Sequence, residues 1–338
     1  MSAAAEWPIE GPVAVVGGAG YIGSHTARAL QDRGVEVLVF DDLSTGHRDA
    51  ACGTFVEGSL GDREAIASFF RDHAPRAVVH FAAKSLMGES MENPAKYYRE
   101  NVVNTFHLLE EMRSAGCTEI VFSSTCATFG KPVELPLSET HPQNPFSTYG
   151  RTKLHMEHMM DDYARAYGFR FAALRYFNAA GASLDGTLGE HHDPETHLIP
   201  LVLQVAMGRR DAIQIFGDDY ETRDGTCIRD YIHVDDLSEA HLRALSFLQS
   251  GEQQRLLCNL GTGTGFTVLE IVEAARRVTG HPIPTVVAGR RPGDPPELVS
   301  GGTIAGEVLD WTPRRTALDD IIGDAWNFMQ RKPDGFSE

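Results

Sequence analysis

The stretch Pro12-Val13-Ala14-Val15-Val16-Gly17-Gly18-Ala19-Gly20-Tyr21-Ile22-Gly23 constrains everything downstream of it, because an apolar run breaks into closely spaced glycines and then reopens as a helix. That order predicts a buried strand, a tight turn and a helix N-terminus. Gly17 can take the turn conformation, Gly20 lets the backbone approach a pyrophosphate with no Cβ in the way, and Gly23 lets helix and strand pack closely. The helix then directs free N–H groups and a partial positive charge at an anion. Glycine clusters alone are more often plain turns, so context decides. Val35-Glu36-Val37-Leu38-Val39-Phe40 reads as a second buried strand and ends in Asp41, about 20 residues past the glycines, as in a dinucleotide fingerprint. A carboxylate there can accept both hydroxyls of an adenosine ribose. A 2′-phosphate would instead face Asp41 and Asp42, a repulsion of about 1 kcal/mol per pair in water and roughly 4 at an effective dielectric of 20. The predicted cofactor is therefore NAD rather than NADP.

Strand and helix keep trading places after Asp41. Thr54 to Glu57 is a short strand, Arg63 to His73 a helix, and Arg76 to Phe81 a buried strand whose His80 is expected to be a packed core residue. Such alternation makes the sheet parallel. A long helix follows, with Pro94 in its first turn and Tyr97, Tyr98, Val102, Phe106, Leu109 and Met112 at helical spacing. Glu119 to Thr125 is the next strand, dissolving into Ser123, Ser124 and Thr125 at its carboxyl end, and Arg170 to Tyr176 another. From Asn178 to about Met207 the chain reads as a polar loop, the start of a second, smaller domain. Ile228 to Val234 resumes a strand and Asp235 to Leu248 a helix, while the glycines of Gly261-Thr262-Gly263-Thr264-Gly265 lack the GK[ST] of a triphosphate loop and read as a turn into a helix over Thr267 to Thr279. The predicted fold is α/β, a Rossmann-type doubly wound parallel sheet with a smaller C-terminal substrate-binding domain. Residues 1–178 form the NAD-binding part, with later strands near 228–260 returning to it, and residues 179–338 mainly bind substrate.

With 338 residues and 42% hydrophobic content the chain can bury a full core. Its 30 basic and 47 acidic residues, a formal −17 with no basic run, argue against nucleic acid and anionic membranes as partners. No apolar run approaches the roughly 20 residues of a membrane span, and Met1 to Glu10 lacks the blocks of a signal peptide. Five cysteines without a CxxC pair suit a reduced compartment, so a cytoplasmic location is expected. The histidines of Gly189-Glu190-His191-His192-Asp193 invite a metal reading, but adjacent side chains point opposite ways and no HxxxH or HExxH is present. No metal site is expected.

The chemistry is expected where a hydroxyl-rich strand end meets Tyr149 and Lys153, which stand four residues apart and share a helix face. A free tyrosine has a pKa near 10, and service as a base near neutral pH needs a shift of about 3 units, or roughly 4 kcal/mol. An ammonium about 5 Å away supplies roughly 3 kcal/mol at an effective dielectric of 20. The positive ring of an oxidised nicotinamide can supply the remainder.

The chain resembles the extended short-chain dehydrogenase/reductases, and among them the UDP-glucose 4-epimerase family, over nearly its whole length. The resemblance is carried by Gly17 to His25, His80-Phe81-Ala82-Ala83, Gly88-Glu89-Ser90, Asn101, Phe122 to Thr125, Tyr149 to Lys153, Arg175 to Asn178, Gly225 to Asp235 and Arg290-Arg291-Pro292-Gly293-Asp294. It implies that Tyr149 is the base, that Lys153 lowers its pKa and holds the nicotinamide ribose, and that Thr125 bonds the sugar's 4-hydroxyl. The 4-hydroxyl proton passes to Tyr149 and the C4 hydride to NAD. A 4-keto sugar then turns over and is reduced on its other face. Further cofactor contacts are implied at Gly17, Gly20, Tyr21, Ile22, Gly23, Asp41, Asp42, Ser44, Thr45, Gly46, Ser59, Leu60, Phe81, Ala82, Ala83, Lys84, Asn101, Ser123 and Tyr176.

On the substrate side the resemblance implies Ser85, Phe177, Asn178, His197, Leu198, Gln214, Phe216 beside the uracil, Asp294 and Leu298. Arg229 and Arg291 are the bidentate donors expected on the diphosphate of UDP-glucose or UDP-galactose. Four positions depart from the family pattern. Ser59 stands where an aspartate usually meets the adenine, Lys84 is one position early, His197 replaces a common asparagine, and Leu298 replaces tyrosine or cysteine beside the sugar's 2-substituent. Family resemblance also implies a homodimer through the Pro94 to Met112 helix and the helix after Tyr149. The competing readings are a UDP-N-acetylglucosamine or other nucleotide-sugar 4-epimerase, a nucleotide-sugar 4,6-dehydratase, and a non-catalytic NAD-sensing regulator. Dehydratases carry Asp-Glu after the threonine where this chain has Cys126-Ala127, and a regulator would be expected to lose Tyr149 and Lys153.

Overall fold

The computed structural model describes residues 7–291 and 293–336. Residues 1–6, part of the stretch read for a leader, and Pro292 of the Arg290–Asp294 motif lie outside them. The first half alternates as the apolar runs dictate: β1 (Val13–Val16), α1 (Tyr21–Gln31), β2 (Val37–Asp41), β3 (Thr54–Glu57), α2 (Arg63–His73), β4 (Ala77–His80), short helices α3 (Met87–Glu92) and α4 (Pro94–Tyr97), α5 (Asn104–Ala115), β5 (Glu119–Thr125), α6 (Thr148–Tyr167) and β6 (Arg170–Tyr176). Then come β7 (Asn178–Ala180), α7 (Leu198–Ala206), β8 (Ile213–Phe216), β9 (Ile228–His233), α8 (Val234–Ser250), β10 (Arg255–Leu260), β11 (Gly265–Thr267), α9 (Val268–Thr279), β12 (Thr285–Ala288), β13 (Glu297–Leu298), α10 (Ile304–Leu309) and α11 (Leu318–Arg331).

Seven strands form one parallel sheet in the order β10-β6-β5-β4-β1-β2-β3. The order reverses between β1 and β4, which opens a crevice at their carboxyl ends. β1, β2, β4 and β5 are buried along their whole length, so their sequences read as continuous apolar runs rather than alternating ones. One face is covered by α1, α8 and α10 through Ala27, Leu30, Leu237, Leu245 and Leu309, the other by α2, α5 and α6 through Phe69, Leu109, Met156 and Met160. β9 carries a second sheet with β7, β11 and β13, and β8 pairs with β12. A third core of α7, α9 and α11, built on Val202, Leu203, Ile271 and Ile321, backs these strands. The second glycine cluster is a turn: buried Asp230 accepts the backbone N–H groups of Thr262, Gly263 and Ser300 at 2.9, 3.1 and 3.1 Å.

Two expectations need correction. The segment after Asn178 is not wholly a loop, because Asn178–Ala180 pairs with β9 and Leu198–Ala206 is a helix. That helix is apolar at every position except Gln204 and carries Pro200 in its first turn, so it is buried and shows no polar stripe to mark its period. The helix expected to run unbroken from Pro94 is interrupted by a π-helical turn, Tyr98–Val103, which holds the fully buried Asn101. Tyr97, Leu109 and Met112 enter the core, whereas Tyr98, Val103 and Phe106 are exposed.

His80 is a core residue as expected, its Nε2 3.0 Å from Thr105 Oγ1. Burial pulls its pKa down to about 3, and that of His241, whose Nδ1 lies 2.7 Å from the Leu237 carbonyl, to about 4. The unfolded chain protonates both imidazoles near pH 6.5. Between about pH 6.5 and 4 the unfolded state therefore binds more protons, and stability falls as the pH drops through that window. Thermal melts should give a lower midpoint at pH 5 than at pH 7; an equal or higher midpoint at pH 5 would overturn this.

Candidate active site

The β1–α1 turn is shaped by collisions that only glycine avoids. Gly17 has φ +82°, and a Cβ there would lie 2.5 Å from the Ala82 nitrogen; one on Gly23 would strike the Gly17 carbonyl oxygen at 2.1 Å. At Gly20 an added Cβ meets nothing nearer than the Gly17 oxygen at 3.4 Å, and no side chain caps the start of α1. The outer face of the turn therefore offers unfilled backbone donors, the cradle a pyrophosphate requires. Tyr21 anchors the end of this turn by donating to the Gly181 carbonyl at 2.7 Å, and Ile22 packs against the sheet's core.

Asp41 ends β2 beside the cradle, its two carboxylate oxygens accepting from Ala19 N at 2.9 Å and Leu43 N at 2.8 Å. Burial raises its pKa, and the two backbone bonds oppose that rise. Asp42 accepts from Ser44 N, and Ser44 accepts from Lys84 Nζ at 2.8 Å. Lys84 thus reaches over the Asp41–Asp42 turn. Gly46 lets this turn close on Ala19, where a Cβ would come within 2.8 Å of backbone, with Thr45 just before it. Ser59 is occupied locally, accepting from Gly61 N at 3.2 Å, while Leu60 packs its side chain beneath Phe40. Phe81 and Ala82 both donate to the Val16 carbonyl, which sets Phe81-Ala82-Ala83-Lys84 along the crevice, with Ser85 exposed beyond it. Asn101 fixes that strand end: its Oδ1 accepts from Lys84 N and its Nδ2 donates to the Lys84 carbonyl and Thr152 Oγ1. The cradle and the buried carboxylate fit a dinucleotide.

The three residues expected to be catalytic meet at the carboxyl end of β5. Thr125 stands opposite Tyr176 in the sheet register, and its side chain lies within reach of the Tyr149 phenol, where it opposes the upward pKa shift that burial imposes. α6 starts at a Ser147 cap, and Ser90 Oγ accepts the Tyr149 N–H at 3.1 Å, fixing where the phenol projects. Lys153, one turn on, is buried and donates to the Ser123 carbonyl at 2.8 Å, while the Ser123 hydroxyl makes a short hydrogen bond with Tyr176. Burial pulls Lys153 down to about 7 and pushes Tyr149 well above the usual tyrosine range. Tyr176 is pushed up to about 12, again by burial. The sequence reading expects Lys153, together with an oxidised nicotinamide, to lower the Tyr149 pKa; here the Lys153 ammonium donates to the Ser123 carbonyl. Burial thus disfavours the phenolate, so a base role for Tyr149 would call for positive charge beside the phenol, such as an ammonium or an oxidised nicotinamide ring.

Two residues that the spacing argument passed over support this group. Glu157 continues the four-residue spacing of Tyr149 and Lys153 and is buried, its carboxylate held by Arg175 at 2.9 and 2.6 Å and by Ser124 Oγ at 2.5 Å. Ser90 carried no role in the sequence reading although it lies in the Gly88-Glu89-Ser90 stretch.

Three of the expected substrate-side residues, Asn178, Arg229 and Leu298, stand on the second sheet, and the others lie on β8, α7 and the connecting loops. Arg229 and Leu298 are paired residues of β9 and β13, and Asn178 pairs with Tyr231 two residues further along β9. Arg229 makes a short ion pair with Asp294, and Arg291 lies over the Phe216 ring at 4.1 Å. Phe177 packs with Cys126 and Phe129, and Leu298 closes against them. Gln214 is exposed on β8, and His197 precedes Leu198 at the start of α7. The charge of Glu190 first, opposed by burial, holds His197 up to about 11.

Residues 13–261 match the NAD dependent epimerase/dehydratase family, and the chain belongs to that family. It is 50% identical to a UDP-glucose 4-epimerase of Streptococcus mutans over 96% of this chain and 99% of the relative. Its fold matches the crystal structure of UDP-glucose 4-epimerase from Brucella ovis in complex with NAD at a TM-score of 0.92 and 51% identity, covering 94% of this chain and 98% of that one. The Bifidobacterium longum enzyme in complex with NAD+ and UDP matches at a TM-score of 0.90 and 33% identity, over 96% and 100% of the two chains.

Proposed function

We propose that this chain is a UDP-glucose 4-epimerase, interconverting UDP-galactose and UDP-glucose through a 4-keto intermediate. The observation that carries the reading is the convergence of Thr125, Tyr149 and Lys153 at the carboxyl end of β5, with Leu298, the strand partner of Arg229, packed against the cluster that holds Cys126 next to Thr125. NAD held in the cradle supplies the acceptor and donor for the C4 hydrogen. Tyr149 takes the 4-hydroxyl proton and later returns it, so no proton is consumed over a cycle. Thr125 orients the 4-hydroxyl toward the phenol. Arg229 and Arg291 hold the diphosphate, with Asn178, His197, Leu198, Gln214, Phe216 and Asp294 around the nucleotide. Because the grip is on UDP, the sugar can turn about its bonds to the diphosphate and present its other face to the same tyrosine.

A dehydratase is disfavoured because the residue after Thr125 is Cys126, a thiol that burial pushes up to about 12, where an acid would be needed to expel a 6-hydroxyl. A silent regulator is disfavoured by the intact Tyr149 and Lys153. Leu298, half-buried against Cys126 and Phe177, sets the room left for an N-acetyl group. In this reading residues 1–178 and the later strand β10 bind NAD and most of 179–338 binds the UDP-sugar. Two copies of the chain pair through exposed Tyr98, Val103 and Phe106, and the enzyme works in the cytoplasm. Among the described residues no helix is long and apolar enough to cross a membrane.

A proton NMR time course with UDP-galactose and no added NAD tests the function. UDP-glucose should appear and stop at a fixed ratio. No conversion even after NAD is added, or a 4-keto-6-deoxy product, would overturn the reading.

A further inference from the structure

The loop between β7 and α7 carries a side-chain cluster that the reaction above explains only at its last residue. Glu190, His192, Glu195 and His197 each bring one ligand-type atom to within 4.8 Å of the others. Adjacent histidines do diverge: His191 stacks on His47 with ring centroids 4.7 Å apart, while His192 turns toward His197. The partners of His192 come from further along the loop, in the spacing Glu-x-His-x-x-Glu-x-His, which neither of the two-histidine motifs considered above contains.

We propose that these four side chains form a tetrahedral site for a divalent transition-metal ion of the zinc type, which ties the loop to the start of α7. Ligand bonds of about 2.0–2.1 Å to imidazole nitrogen and carboxylate oxygen place tetrahedral ligand atoms about 3.3 Å apart. The separations around Glu190 Oε1 bracket that edge, at 2.8 Å from His197 Nδ1 and 3.5 Å from His192 Nδ1. Glu195 faces both imidazoles, with Oε1 3.0 Å from His197 Nδ1 and Oε2 3.6 Å from His192 Nδ1, and one ligand atom from each of the four residues lies within 4.8 Å of the others.

A second observation points to an ion rather than to a closed hydrogen-bond network. His192 Nδ1 is buried and makes no hydrogen bond, although two carboxylate oxygens face it just beyond hydrogen-bond range. The side chains of Glu190 and Glu195 are only 8% and 4% exposed. Two carboxylates so far from water call for more positive charge than the single His197 imidazolium between them. Glu195 is also pre-oriented: the N–H groups of Thr196 and His197 donate to its Oε1 at 2.7 and 2.8 Å, which turns Oε2 toward His192.

Two imidazoles and two carboxylates favour zinc over magnesium or calcium, which take oxygen ligands. With all four positions filled by protein, the ion is structural. The loop it closes is already tied to the cofactor side, since Tyr21 donates to the Gly181 carbonyl and His47 Nε2 to the His191 carbonyl at 3.1 Å. His197 would coordinate through Nδ1, the atom that faces the two carboxylates, which leaves its Nε2–H free for the nucleotide contact that the resemblance assigns to it. The proposal does not depend on the epimerase reading.

The test uses the full-length protein with its NAD, treated with a chelator, dialysed against zinc chloride and analysed for metal, with X-ray absorption on the same sample. The expected result is about one zinc per chain in a shell of nitrogen and oxygen that includes two imidazoles. His192→Ala and Glu190→Gln should each weaken zinc binding by at least about tenfold. Cobalt(II) in the wild-type chain should show the visible bands of a tetrahedral site, a readout that needs no variant to fold. Negligible zinc in the wild-type chain, a shell with fewer than two imidazoles, or unchanged binding in both variants would overturn the proposal.

Discussion

Tyr149→Phe should lower the rate of epimerisation by about 10²–10⁴-fold, the usual worth of a positioned acid or base, while NAD stays bound. The substitution removes one oxygen and leaves the ring that α6 projects from its Ser90-anchored first turn. Burial already holds the phenol well above its ordinary pKa, so deletion of the hydroxyl relieves a desolvated polar group and should not destabilise the fold. The loss should therefore appear in kcat, with the melting midpoint unchanged. Retention of more than about a tenth of the wild-type rate would mean that the proton travels by another route.

Glu157→Leu should cost about 3–5 kcal/mol of stability, because it leaves the Arg175 guanidinium charged, buried and unpaired. Arg175 and Glu157 are 3% and 4% exposed and joined by two hydrogen bonds, and Ser124 and Gln143 complete the carboxylate's partners. For a chain of this length a loss of that size lowers the thermal midpoint by roughly 4–7 °C. The paired replacement Glu157→Leu with Arg175→Met should recover most of it, since a buried ion pair is often matched by apolar side chains of similar volume. A Glu157→Leu midpoint within about 1 °C of wild type would show that Arg175 finds water or another partner. Because Glu157 lies one turn after Lys153 on α6, the double variant also asks whether the pair holds Lys153 on the Ser123 carbonyl.

What was legible beforehand follows the range of the interactions. The spans Thr54–Glu57, Arg63–His73, Glu119–Thr125 and Arg170–Tyr176 could be read because each is an apolar or periodic run closed by turn residues or charges. The Tyr149–Lys153 pair was visible because four residues is one helical turn. Glu157 extends that spacing and was missed, since a carboxylate on a helix is ordinarily solvated and only Arg175, from a neighbouring strand, makes it a core residue. Helix α7 was hidden by having no polar face. The pairing of Arg229 with Leu298 joins residues far apart in the chain, and no local pattern reports it. The direction of Lys153 was invisible for the same reason, because its acceptor is a backbone carbonyl 30 residues earlier.

The β9–β13 pairing places Arg229, proposed to hold the nucleotide, directly opposite Leu298, proposed to set the room beside the sugar. β13 is only two residues long and rests on β9 through Glu297 and Leu298. If both proposed roles hold, a substitution at position 298 that changes which sugars fit is made directly opposite the residue that holds UDP, so sugar range and nucleotide retention would be inherited together rather than as independent traits.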